Sequence, residues 1–302
     1  MISPSDNAAA YDAELLMNRP DRDARLRRLR YPRHVPVLSL TVLVVWVLAA
    51  VFGPFIWGGQ ENKIDLLHTL TPPCGFGACH GHLLGTDQFG RDMLARIVGG
   101  AGYALIVALA SVGLAGVAGL SLGILAGYLG GIWDSIISRI ADVALAFPVF
   151  LLALLVAVRF GPSLTDVIVI IAVLFWGRFA RVARAETLVL KELDFVESAR
   201  AQGAGSIRIM FTHVLRNVMP SMLVLATLQV GWAIVTEASL SFLGAGIPPP
   251  APAWGSMVAN GRDLLETAWW VPILPGAAIL IVVVAVNVVG DWLRDRLDPT
   301  LL

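Results

Sequence analysis

The sequence predicts an all-α protein, a polytopic membrane protein of six transmembrane helices with N- and C-termini cytosolic. Three observations carry that prediction. Of the 302 residues, 57% are hydrophobic and only 15% charged, too apolar for a soluble domain of this length. The apolar residues gather into runs of span length, since about 20 residues at 1.5 Å rise cross a hydrocarbon core of roughly 30 Å. The arginines cluster between alternate runs, in the segments that the positive-inside rule keeps in the cytosol. The net charge of zero points to no polyanionic partner, so no nucleic acid is expected. Two cysteines are too few for a disulfide framework or a thiolate cluster.

Residues 1–34 read as a cytosolic N-terminal tail. Asp12, Glu14, Asp21 and Asp23 precede a basic run of Arg25, Arg27, Arg28, Arg30 and Arg33. That run is a topology signal and can also meet anionic headgroups of the lipid membrane. The apolar stretch from Val35 is too long for the core of a signal peptide, so residues 35–57 form the first span, with Trp57 at the far interface.

Residues 58–100 make an outer, periplasmic loop containing Cys74, Cys79, His80 and His82, with His68 upstream. Cys74 and Cys79 could close a small disulfide loop in an oxidising compartment. Thiolate and imidazole could instead hold a transition metal. The disulfide is favoured because paired cysteines outside the cytosol are usually structural, so no metal is expected. Residues 82–101 carry Asp87, Arg91, Asp92 and Arg96, with Gly85 and Gly90 as breakers. They read as a turn and a short amphipathic helix at the outer interface.

Residues 101–302 form the core domain with five further spans. The second, about Ala101–Tyr128, carries Gly113, Gly116, Gly119, Gly123 and Gly127, a spacing that lets helices pack backbone to backbone within this subunit or against another. A connector with Asp134, Arg139 and Asp142 leads to the third span, about Ala141–Val158. After a turn at Arg159–Ser163, the fourth runs over about Val167–Phe179, and Arg178, Arg181 and Arg184 mark its cytosolic end. The fifth, about Val218–Leu240, contains Glu237. A carboxylate in a membrane helix is a translocation-path candidate, weighed against a satisfied structural group near the outer end. A proline-rich outer loop follows, with Trp254, Trp269 and Trp270 suited to the interface belt, and then the last span, about Ile273–Val289. Arg294 and Arg296 place the C-terminus inside.

The cytosolic loop 184–217 is polar, yet patterned. Leu193, Val196, Ala199 and Gly203 recur at helical spacing, as do Ile207, Met210, Phe211 and Val214 beyond Gly203-Ala204-Gly205. Two short amphipathic helices with a glycine bend can lie on the membrane domain while a cytosolic partner grips them.

Several segments resemble the permeases of the dipeptide, oligopeptide and nickel ABC importer family. Residues 82–101 match its outer motif through Leu84, Gly85, Thr86, Asp87, Gly90, Arg91, Asp92, Leu94, Arg96, Gly100 and Ala101. Residues 127–148 and SFLGAGIPPPAPAWGSM at 241–257 continue the likeness. Glu197-Ser198-Ala199, followed by Gly203, is similar to the family's EAA-x-x-x-G signature, with Ser198 in place of the usual alanine. The resemblance implies a type I ABC importer permease of the bacterial inner membrane. It implies ATPase coupling through Glu197, Ser198, Ala199, Arg200, Gly203, Ala204 and Arg208. Its partners would be a second homologous permease, two ATPase subunits or domains, and a periplasmic substrate-binding protein. Dipeptides or short oligopeptides would be the cargo, with nickel or glutathione as alternatives.

The chain has no phosphate-binding loop followed by Lys-Ser/Thr, no Ser-His-Asp arrangement and no His-Glu-x-x-His. It is therefore not expected to be an enzyme or to hold a cofactor, and ATP and Mg would sit on the ATPase partners. Two other readings stand behind this one. An ion-driven secondary transporter would rely on Glu237, and a membrane metalloenzyme would rely on the Cys74–His82 cluster.

Overall fold

The computed structural model describes residues 35–76 and 81–297. The basic tail, Cys79 and His80 lie outside the described residues. All described residues but Val35 belong to one compact unit, Pro36–Leu302. In chain order the helices are α1 (Val37–Trp57), α2 (Met93–Leu129), α3 (Gly131–Ala146), α4 (Val149–Phe160), α5 (Leu164–Leu190), α6 (Asp194–Ala201) and α7 (Ser206–Ile209). A π-helical turn, Met210–Val214, joins α7 to α8 (Leu215–Phe242), and α9 (Trp254–Gly261) and α10 (Trp270–Leu297) follow. Among the described residues there is no strand, only an isolated bridge between Thr86 and Asp92.

Among the described residues four helices are long and apolar enough to cross a membrane: Val37–Trp57, Met93–Leu129, Ser206–Phe242 and Trp270–Leu297. The pair α3–α4, bent by 81°, makes a fifth if taken as one span. The expected third span, 141–158, is thus broken rather than straight. Pro148 has no N–H to donate and drives the preceding Phe147 to an extended conformation (φ −73°, ψ 129°), which ends α3. The expected fourth span is α5, whose 27 residues reach the necessary length but include Asp166, Arg178, Arg181 and Arg184. The outward faces are apolar: Leu38 is 80% exposed, Val117 70% and Leu155 68%. Water would penalise such a surface, whereas lipid accommodates it.

The expected interfacial helix over 82–101 does not form separately. Asp92 caps Met93 directly, its side chain accepting from the Ala95 N–H at 2.8 Å, and α2 runs unbroken for 37 residues. Before the cap lies a tight turn organised by Asp87.

α2 and α5 pack over most of their lengths and form the spine. The glycine stripe of α2 explains the close approach. A Cβ on Gly123 would lie 2.5 Å from the Ala180 carbonyl oxygen and 2.7 Å from the Ala183 Cβ, and one on Gly127 would lie 2.7 Å from the Thr187 Cβ. Gly119 faces Phe179 and Ala180 in the same way. The stripe therefore serves packing within the subunit. Gly123→Leu is expected to force the two helices apart at a cost of about 1–3 kcal/mol, read as a lower thermal midpoint of the purified protein. An unchanged midpoint would remove the stripe from the spine.

Trp254 and Trp270 do not face lipid. They are 3% and 6% exposed and tie the outer segments together. The Trp254 indole N–H donates to the Ile97 carbonyl at 2.9 Å, and that of Trp270 to the Thr86 carbonyl at 3.1 Å. Trp269 is partly buried, its ring edge-on to Phe76 with centroids 5.5 Å apart.

Candidate functional site

The loop between α5 and α8 is built as two helices around one turn. α6 ends at Ala201, and Gly203 adopts φ +84°. The Gly203 N–H donates to the Arg200 carbonyl at 3.0 Å and the Ala204 N–H to the Ala199 carbonyl at 3.1 Å. This paired bonding is the Schellman C-cap, which places a residue without a Cβ in the left-handed region. No atom lies within 4 Å of the position a Gly203 Cβ would occupy, so the requirement for glycine is conformational inside this chain.

Val196, Ile209 and Val214 are fully buried and anchor the loop in the main apolar cluster. Ala199 and Ala204 pack partly against the same cluster. The two halves of the apolar pattern are therefore not equivalent. Ile207 is 70% exposed and Phe211 68%, while Leu193 and Phe195 are also exposed. The helical spacing grouped Ile207 and Phe211 with Val214. The structure instead buries Ile209 and turns those two side chains outward. Exposed apolar side chains on an otherwise polar surface mark a partner contact.

Glu197, Ser198, Arg200 and Arg208 are exposed. Among the described residues Glu197 and Arg208 form no ion pair within the chain. The Arg200 guanidinium stands 5.9 Å from the ring centroid of Tyr128, near the end of α2. Phe195 and His213 stack loosely, with centroids 6.0 Å apart, across the bend. Beside the loop a recess of about 390 Å³ is lined by Ala185, Glu186, Val189, Leu190 and Asn217. The arrangement offers a firm base and an exposed, mixed apolar and charged outer face that carries Glu197 and Arg208.

Glu237 does not line an open path within this chain. It is 2% exposed, and its Oε1 accepts from the Ser241 hydroxyl at 2.6 Å. The Ser241 oxygen in turn accepts from the Ile247 N–H at 3.2 Å. The residues after α8 fold back over it: a Cβ on Gly246 would collide with Ser241. The carboxyl is held between its own helix and that loop.

At the outer end Cys74 is disulfide-bonded, and Cys79 lies outside the described residues. His82 Nδ1 is 2.7 Å from Asp92 and His68 Nδ1 is 2.9 Å from Asp65. The Asp65 carboxyl is held below its ordinary pKa, chiefly by the hydrogen bond with His68. Among the described residues no group of three or more His, Cys, Asp or Glu side chains is placed to hold a metal ion.

The sequence pattern groups Arg178 with Arg181 and Arg184 at the cytosolic end of a span. Arg181 and Arg184 do pair with Asp142 and Asp134 of α3. Arg178 instead turns towards α8, where its Nη1 donates to Gln229 Oε1 at 3.0 Å.

Comparison with known proteins agrees with this architecture. Residues 119–302 match the family described as binding-protein-dependent transport system inner membrane component. A di/tripeptide transport system permease protein of Pseudomonas aeruginosa (strain UCBPP-PA14) is 41% identical over 266 residues, covering 87% of each chain. A glutathione transport system permease protein of Pectobacterium atrosepticum is 44% identical over 283 residues, covering 93% of this chain and 92% of that protein. Among solved structures, an inward-facing conformation of the MetNI methionine ABC transporter superposes with a TM-score of 0.56 at 21% identity. That match covers 68% of this chain and 98% of the other, a likeness of fold. The protein is thus a multi-pass inner-membrane permease and not itself an enzyme. The chain belongs to the family of binding-protein-dependent transport system inner membrane components.

Proposed function

We propose that this chain is one permease subunit of an ATP-driven importer that moves dipeptides or short oligopeptides into the cell. A second permease, two ATPase subunits or domains, and a substrate-binding protein on the outer face complete the complex. The observation that carries the reading is the loop from Leu193 to Val214. It is anchored by Val196, Ile209 and Val214, bent at Gly203, and presents Phe195, Ile207 and Phe211 outward. The peptide cargo is supported by the permease relatives named for peptide transport. Glutathione is itself a tripeptide and fits the same class, in keeping with the relative at 44% identity.

In this reading ATP and Mg bind to the ATPase partners, whose closure draws α6 with it. Because α6 and the turn after it are fixed to the membrane domain through buried side chains, a displacement of the loop is passed to the spans. ATP can drive such a shift only by binding one conformation of the complex better than the other. Six spans with both ends in the cytosol are supported by the arginines that flank alternate apolar runs.

The test is ATP hydrolysis and uptake by the complete complex in proteoliposomes, with and without the binding protein and a mixture of dipeptides and tripeptides, glutathione included. Stimulation by binding protein and peptide together is expected, with accumulation of the peptide inside. Failure of any ATPase to co-purify, with uptake that follows an ion gradient, would sink the proposal.

A further inference from the structure

Arg178 is a cation in a place that should exclude one. Its partner Gln229 lies midway along the apolar stretch Val218–Leu240, about 16 Å from either end at 1.5 Å per residue. The Arg178 guanidinium is therefore held well inside an apolar helical segment, where an ionisable side chain is costly unless it faces a partner or a watery path. Among the described residues no carboxylate pairs with it, in contrast to Arg91, Arg96, Arg181 and Arg184.

The group is nevertheless held in position. Nη1 donates to Gln229, and the guanidinium carbon stands 4.9 Å from the Phe175 ring centroid and 5.8 Å from that of Trp232. Phe175 and Gln229 are buried, at 5% and 3%, so the back of the site is closed. Trp232 is 58% exposed and Arg178 is partly exposed, so the front of the site is open. The buried Gln229 amide nitrogen has no hydrogen-bond partner among the described residues. A glutamine kept in an apolar core with its N–H₂ unsatisfied is a poor structural device, and its oxygen is committed to fixing Arg178. Among the described residues the bond to Gln229 is the only hydrogen bond of the guanidinium, which leaves most N–H donors of the fork open, in the geometry that suits a carboxylate.

We propose that Arg178, fixed by Gln229 and flanked by Phe175 and Trp232, is a station in the translocation path that receives the carboxylate of the peptide in transit. The inference rests on the peptide-importer reading above. The Arg178–Trp232 pair would accept the terminal carboxylate through the fork and an adjacent apolar side chain against the indole. Such a contact is sequence-tolerant, as it uses only what every unmodified peptide carries.

The experiment is uptake by the full complex in proteoliposomes of a dipeptide with a free C-terminus and of the same dipeptide as its amide. For Arg178→Gln, uptake of the free acid is expected to fall about tenfold or more relative to wild type, the size of a lost charge-assisted hydrogen bond. Uptake of the amide is expected to be the same in both complexes. Arg178→Lys, which keeps the charge, is expected to recover a substantial part of the acid uptake, and this comparison decides the matter if the amide is not carried at all. Equal loss for acid and amide, equal behaviour of the Gln and Lys variants, or unchanged acid uptake would overturn the station. Loss of the second permease from purified Arg178→Gln complex would overturn it too, by showing that the charge pairs across subunits. A wild-type complex that carries no peptide would instead bring down the peptide reading, and the station with it.

Discussion

Gly203→Trp is expected to abolish transport while leaving the chain in the membrane. The residue sits at φ +84°, where an L-residue costs about 1–2 kcal/mol, and an indole there would project from the exposed bend that a partner must cover. Two effects can be separated with a second substitution. Nothing lies within 4 Å of a Cβ at this position, so Gly203→Ala incurs the backbone cost with no clash inside the chain. Gly203→Ala is expected to weaken uptake and stimulated ATP hydrolysis by roughly 5–30-fold, the factor that corresponds to 1–2 kcal/mol. Gly203→Trp is expected to lose ATPase co-purification as well. Membrane-extracted chain in wild-type amount guards against simple misfolding. Normal ATPase association and uptake in Gly203→Trp would show that the loop is not the coupling element.

Much of the architecture was legible because membrane physics writes itself into sequence at long wavelength. Apolar runs of span length and the glycine stripe at Gly119, Gly123 and Gly127 are local signals, and α1, α2 and α10 follow from them. The break at Phe147–Pro148 was also written locally, in a dipeptide that disfavours helix, but hydropathy averaged over a span conceals it. Asp92 carried a capping signal of the same local kind, which competes with reading 82–101 as a separate element.

What escaped the sequence is what depends on distant partners. Ile207, Ile209 and Phe211 are of one chemical type, and only the placement of the core decides that Ile209 is buried and the other two exposed. Glu237 is enclosed because the turn after α8 folds back to Ile247. Arg178 looks like one more cytosolic arginine until Gln229, 51 residues on, is brought beside it. The turn and helix starts around Gly203 were legible, since a Schellman cap needs only its own few residues.

Asp87→Ala is expected to destabilise the outer end more than any other single polar substitution there. The Asp87 carboxylate is 4% exposed and accepts from the Phe89 N–H at 2.8 Å, the Arg91 N–H at 3.0 Å and Arg91 Nε at 2.7 Å. Arg96 is 3% exposed, with its Nε 3.7 Å from the same carboxylate and its Nη1 donating to the Glu61 carbonyl at 2.9 Å. Removal of the anion leaves the buried Arg96 guanidinium with neutral acceptors, the Glu61 carbonyl and the Asn62 amide, in place of its carboxylate, a loss of about 3–5 kcal/mol. Asp87→Asn keeps an acceptor for the two backbone N–H groups and should fall between wild type and alanine. The measurement is the thermal midpoint of the purified complex, together with its binding to the substrate-binding protein. If the charge is what matters, Arg96→Met in the Asp87→Ala background should recover part of the lost stability, because the uncompensated cation is gone. A double-mutant cycle makes that coupling quantitative. An Asp87→Ala midpoint equal to wild type, or no coupling between Asp87 and Arg96, would mean that the turn is held by its backbone bonds and by Trp270 alone.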